Sequence, residues 1–191
     1  MEKIKQLREE TSAGMMDVKR ALEESDGDLD GARKSLKEKG KATAAKKSSR
    51  EVHEGLIGSY VHFNGKVGVL VQVDCETDFV ARTEQFTGFV KNVALHVASM
   101  DPLCVAPGDI PQDQVAEERS AVESQAAEMD KPEAVTQKIV DGRMDKWIAE
   151  RALLTQPYVK DEDKTVGELL QETVAAVGEN VVIRRFVRYA L

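Results

Sequence analysis

The chain has 191 residues, 41% of them hydrophobic and 32% charged, enough to bury the core of one or two domains and too apolar for a disordered tail. Thirty-four acidic residues against 27 basic ones leave a formal charge of −7, which weighs against tight non-specific binding to nucleic acid and in favour of a protein partner. The two cysteines, Cys75 and Cys104, form no CxxC pair, so neither a disulfide framework nor a zinc ribbon is expected, and a reducing cytoplasm is the natural compartment.

The first ten residues alternate charge with apolar positions and lack the apolar stretch of a signal peptide. The densest apolar run, residues 67–73, is interrupted by Gln72 and falls far short of the roughly 20 residues that span a bilayer. No membrane segment is expected. Three helices are predicted in residues 1–40, marked by the stripes Ile4 and Leu7, then Met15, Val18 and Leu22, then Leu29, Ala32 and Leu36. Asp28 suits the N-cap of the third and Gly40 its C′ position, while residues 11–14 and the pair Asp26-Gly27 supply the breaks. Residues 41–52 are basic and small, without an apolar face, and read as a linker to a core domain over 53–191.

From Gly55 the period changes to alternation. Val67, Val69, Val71, Val73 and Cys75 share one face of a strand, and Asn64-Gly65 before it predicts a hairpin with a two-residue type I′ turn. A helix over about 83–100 follows, with Phe86, Phe89, Val90, Val93, Ala94 and Val97 on its apolar stripe. Two further helices are predicted, over about 112–129 and 131–151. Pro132 sits in the first turn of the second, and Val135, Ile139, Met144, Trp147 and Ile148 form its apolar side. Residues 156–161 read as a loop, Thr165 and Glu168 as a capping box opening a helix closed by Gly178, and 181–189 as a final strand. The fold class is α+β: a three-helix head followed by an antiparallel sheet covered by helices.

Chemistry-bearing motifs are few. Asp26 to Gly31 resembles the opening of a calcium loop, but Lys37 stands where the bidentate glutamate belongs, so a capped acidic turn is the better reading. His53, His62 and His96 make no ligand pair; His96 is expected in the core, and His62 is divided between an exposed strand residue and a functional one. No phosphate cradle or nucleophile elbow is present, so neither an enzyme nor a cofactor is expected. The basic residues over 33–50 lack interleaved aromatics and read as a solvated linker rather than an RNA contact. Met15 and Met16 are adjacent: either one is exposed for adaptable contacts or both fill a sparse core. Thr77-Asp78-Phe79-Val80 delivers Asp and Phe at a strand end, and taken alone the pattern favours Phe79 buried under the next helix over a protruding anchor.

Leu7 to Leu22, Gly58-Ser59-Tyr60-Val61-His62, Thr77 to Val80, Asp141-Gly142-Arg143-Met144 and Gln156-Pro157-Tyr158-Val159 together resemble the bacterial translation elongation factor Ts family over nearly the whole chain. Asp141 stands where members commonly have glutamate, Ser12 for glycine and Tyr158 for phenylalanine. The resemblance implies a non-enzymatic guanine nucleotide exchange factor for elongation factor Tu, with a ubiquitin-associated-like head. It implies that Arg8, Met15 and Met16 contact the partner's nucleotide-binding domain. It further implies that Thr77, Asp78, Phe79 and Val80 intrude beside the partner's Mg²⁺ and phosphate site, and that His62 is a core histidine reaching the partner. One hairpin unit in place of two core subdomains implies the short form, hence a homodimer and a two-plus-two complex. An adaptor or an RNA-associated factor would leave the Thr77 to Val80 segment unexplained.

Overall fold

The computed structural model describes residues 2–11, 13–129 and 131–191. Helices α1 (Glu2–Thr11), α2 (Met15–Glu24) and α3 (Leu29–Lys47) form the head. They close on Leu7, Val18, Ala21, Ala32 and Leu36, with Ile4, Leu22 and Leu29 packed at the edge, so the predicted stripes meet. Asp28 caps α3 by accepting a hydrogen bond from the Gly31 N–H at 2.8 Å. Asp26 and Gly27 before it take positive φ of 49° and 77°, a conformation Asp and Gly tolerate better than other residues. The acidic segment is thus a capped turn. In the first break, Thr11 ends α1 and Gly14 precedes α2; Ser12 lies outside the described residues.

Helix α3 does not stop at Gly40 but runs on to Lys47, so residues 41–47 of the expected linker are helical and only the segment after them joins the head to the sheet. Alanine and lysine are good helix formers, and Lys46 and Lys47 sit favourably at the negative end of the helix dipole. The decisive term is tertiary. The second half of α3 lies on α8 (Val166–Val177), with Ala44 packed on the main core and Lys37 and Lys41 both paired to Glu168 at 3.0 and 3.2 Å.

Strands β1 (Glu54–Val61), β2 (Val67–Cys75) and β5 (Val181–Ala190) form an antiparallel sheet in the order β1-β2-β5. The hairpin connection is wider than predicted. His62 N–H bonds Val67 O at 2.8 Å and Gly65 N–H bonds His62 O at 2.8 Å, leaving four residues in the loop rather than two. Gly65 alone takes a positive φ, 68°. The Asn64 carboxamide instead accepts from Lys66 N–H at 3.0 Å, a side-chain turn that competes with the type I′ geometry.

One face of the sheet, with Val69, Val71, Val73, Cys75, Val181 and Ile183 buried, meets Phe86, Phe89, Val90, Val93, Ala94 and Val97 of α5 (Glu84–Met100). Each large side chain so buried contributes about 1.5–3 kcal/mol. Gly58 marks the closest approach: a Cβ there would stand 2.3 Å from Val90 Cγ1.

Helices α6 (Gln112–Ala127) and α7 (Glu133–Arg151) pair with each other around Val122, Ala126, Val140 and Met144, with Ile139 and Trp147 partly covered. The predicted apolar side of α7 is therefore largely the one that packs: Met144 is buried, Ile139, Trp147 and Ile148 are partly covered, and only Val135 departs, its place taken by Val140. Val140 is buried and Val135, in the first turn of α7, is 44% exposed outside the α6–α7 cluster. Pro132 is the N-cap and not a first-turn residue. The expected loop at 156–161 holds the short strand β3 (Pro157–Tyr158), whose Tyr158 is buried, and the first residue of β4 (Asp161–Thr165), with which β3 pairs. The Thr165–Glu168 capping box is present, and Gly178 closes α8 with φ 78°.

His96 is fully buried, as expected, and its tautomer follows from its neighbours. Nδ1 accepts from Val159 N–H at 3.2 Å, so Nε2 carries the proton and donates to Gln156 Oε1 at 3.0 Å. Burial lowers the His96 pKa, against a smaller opposing effect of the Gln156 bond. The unfolded chain takes up this proton at higher pH than the folded one, so stability is unaffected above the ordinary value near 6.5 and falls as pH drops below it. Urea unfolding at pH 7.5 and 5.5 is expected to show this loss, at most about 1.4 kcal/mol per pH unit from this group, and His96→Gln is expected to reduce the pH slope.

Candidate functional site

The segment after β2 is built to hold one side chain out. Thr77 caps the single-turn helix α4 (Asp78–Ala81), its hydroxyl accepting from Val80 N–H at 3.4 Å, and Thr83 caps α5 in the same way through Phe86 N–H at 3.2 Å. Val80 and Ala81 face the core, 9% and 5% exposed, while Phe79 between Asp78 and Val80 is 79% exposed. A helical turn sends successive side chains about 100° apart, so burying Val80 and Ala81 turns Phe79 to solvent. The reading of Phe79 as buried, favoured by the pattern alone, is thereby corrected. Asp78 is paired to Arg82 at 2.9 Å, an exposed bond worth little by itself.

Thr77 is held on three sides. Its N–H and hydroxyl both donate to the Glu179 carboxylate, at 3.0 and 2.7 Å, and its carbonyl accepts from the Cys75 thiol at 3.2 Å. Burial pushes the Cys75 pKa up to about 11, which keeps the sulfur protonated and able to donate.

The head offers a second surface. Met15 and Met16 open α2 at 57% and 68% exposure, so neither fills the core. Arg8 is exposed in the last turn of α1, across the short connection from these methionines. Large flexible apolar side chains suit an adaptable protein contact, and arginine is enriched at such contacts.

His62 belongs to neither cluster. It is half-buried past the end of β1, not in the core, with Nδ1 3.0 Å from the Tyr60 hydroxyl. Its ring centroid lies 4.4 Å from that of Phe63, which is 93% exposed. His62 lies beside Val67 at one end of β2 and Thr77 follows Cys75 at the other, ends that eight steps of roughly 3.3 Å separate by about 26 Å.

A third surface was not legible as such. The face of the sheet away from α5 carries Ile57 and Val61 at 69% exposure each, Leu70 at 50%, Val187 at 39% and Tyr189 at 73%. The register pairs Ser59 with Leu70, Leu70 with Val187 and Gly68 with both Val61 and Tyr189, and Ile57 with Gln72, which in turn pairs with Arg185, so exposed apolar residues gather on this face around a few polar ones, in the manner of an interface. Sequence reasoning also missed Glu179, since a glutamate after a helix-closing glycine carries no local signal for a bond to Thr77. Among the described residues no helix is long and apolar enough to cross a membrane.

Comparison with known proteins gives a consistent result. A family model described as "Elongation factor TS" matches residues 5–191. A curated elongation factor Ts from Rubrobacter xylanophilus is 72% identical over 191 residues, covering 100% of this chain and 98% of the relative. Those of Desulfosudis oleivorans and Solidesulfovibrio magneticus are 50% and 51% identical over 188 residues, covering 98% of this chain and 95% and 94% of the relatives.

Proposed function

Because the chain belongs to the elongation factor Ts family, we propose that it is a guanine nucleotide exchange factor for elongation factor Tu, acting in the cytoplasm during translation elongation. It carries out no covalent chemistry; it speeds the loss of GDP so that GTP can enter. The observation that carries this reading is Phe79, 79% exposed on a turn whose next two residues are buried. A side chain held out in this way enters a partner without first being ordered, which lowers the entropic cost of insertion.

The steps follow from the surfaces. Arg8, Met15 and Met16 on the ubiquitin-associated-like head hold the partner's nucleotide-binding domain, and His62 with Phe63 makes a second contact from the other end of the sheet. Thr77 and Val80, half-buried and buried rather than open to a partner, anchor the turn that carries Asp78 and Phe79 beside the partner's Mg²⁺ and phosphate site. GDP and Mg²⁺ depend there on a pre-organised loop, so displacing its support weakens both. Linkage makes the effect reciprocal: a factor that lowers GDP affinity is itself displaced more easily by nucleotide.

The open apolar sheet face is the dimer surface in this reading. Two copies related by a two-fold axis would cover Leu70, Val187 and Tyr189 with the same residues of the other, giving a complex of two factors and two partners. The test is release of fluorescent GDP from purified bacterial elongation factor Tu. The chain is expected to accelerate it saturably, by tenfold or more; an unchanged release rate at every concentration would overturn the reading.

A further inference from the structure

A single helical turn cannot hold itself rigid, because nucleation fixes several residues for very few hydrogen bonds. Besides the burial of Val80 and Ala81, α4 is held at its start by Glu179. This residue lies in the tight turn between Gly178 and Val181, and both of its carboxylate oxygens accept from Thr77, one from the backbone N–H at 3.0 Å and one from the hydroxyl at 2.7 Å. With its proton given to Glu179, the Thr77 hydroxyl is left to accept from Val80 N–H, which is the cap of α4. Bonds to an ionised carboxylate are roughly twice as strong as neutral ones, and here they set the orientation of the residue from which Asp78 and Phe79 follow.

The turn bearing Glu179 is itself braced. Asn180 is 4% exposed; its N–H donates to Glu76 Oε1 at 2.6 Å and its side-chain amide to Arg50 O at 2.8 Å. Lys47, the last residue of α3, donates to Gly178 O. The end of the head's longest helix and the start of α4 are thus fastened to the same three residues.

We propose that Glu179 is a positioning residue for nucleotide exchange, fixing Thr77 and through it the direction in which α4 presents Asp78 and Phe79. The proposal rests on the exchange-factor reading above. A displacement of about 1 Å in a working group can cost about 100-fold in rate, whereas contacts made by the head are untouched by it. Glu179→Ala is therefore expected to lower the maximal rate of GDP release from elongation factor Tu by about tenfold, with the half-saturating concentration changed by less than about threefold. Glu179→Gln keeps one acceptor oxygen and should fall between.

Two further readouts separate positioning from general damage. Hydrogen exchange on the free protein should quicken in Glu179→Ala over residues 77–82 and stay unchanged in β2 and β5. In a chain already carrying Asp78→Ala and Phe79→Ala, adding Glu179→Ala should change release by less than about twofold, since nothing remains to be positioned. If the alanine variant melts below the assay temperature, Glu179→Gln serves for all three measurements. The proposal is overturned if Glu179→Ala leaves release and exchange at 77–82 as in the parent, or if it slows release equally when Asp78 and Phe79 are absent. Failure of the exchange-factor reading is a different result, in which the parent chain itself leaves GDP release unchanged.

Discussion

Replacing Asp78 and Phe79 together with alanine is expected to slow GDP release from elongation factor Tu, at saturating factor, by about 10- to 100-fold. The magnitude follows from Phe79. Taking an exposed phenylalanine into a partner yields about 1.5–3 kcal/mol, and each 1.4 kcal/mol is tenfold in rate. Losing the exposed Asp78–Arg82 pair alters the free protein little. Complex formation should weaken much less than release slows, because Arg8, Met15 and Met16 lie on the head, outside the altered turn. Stopped-flow release at several factor concentrations separates the two quantities. Equal losses in both would mean that the turn only adds contact area and does not act on the nucleotide site.

Leu70→Asp is expected to split the proposed homodimer. Leu70 lies on the central strand, between Ser59 of β1 and Val187 of β5, with the other apolar residues of the open face around it. A buried carboxylate without a partner has no means of recovering its lost hydration. In a two-fold interface the change occurs twice, and at about 2 kcal/mol per copy the dissociation constant rises by nearly three decades. Light scattering at about 10 µM should give twice the chain mass for the parent and the chain mass for the variant. The substituted side chain already faces solvent in the single copy, so its secondary structure should persist in circular dichroism. A parent chain that is monomeric throughout the micromolar range would contradict the proposal.

Much of this architecture was legible because local signals and tertiary packing agree. The 3.6-residue stripe from Phe86 to Val97 lies on the sheet, the alternation from Val67 to Cys75 faces it, and the caps at Asp28 and Thr165 are where their side chains can reach the following N–H groups. Departures arise where a distant element decides. Residues 41–47 have no apolar face of their own, and their helix is held by α8, more than a hundred residues away in sequence. Asn64-Gly65 suits a two-residue turn, but Asn64 spends its carboxamide on Lys66 N–H and the loop widens.

The site was readable in composition and not in geometry. Phe79, Val80 and Ala81 are all apolar, and nothing local says which two the core takes; the structure buries the latter two. The pairing of Glu179 with Thr77 joins residues with no pattern linking them. The open sheet face hides in an alternation that looks half polar, since its residues on β1, β2 and β5 become neighbours only through register.

The most direct measurement is the dissociation constant of this chain on elongation factor Tu with and without saturating GDP and Mg²⁺, for the parent and for the Asp78→Ala, Phe79→Ala variant. If the turn couples factor to nucleotide, GDP weakens the parent's binding by about 100-fold, near the upper end of ordinary coupling, and weakens the variant's by less than about tenfold. The same ratio for both chains would contradict the account, placing the coupling outside the turn that carries Phe79.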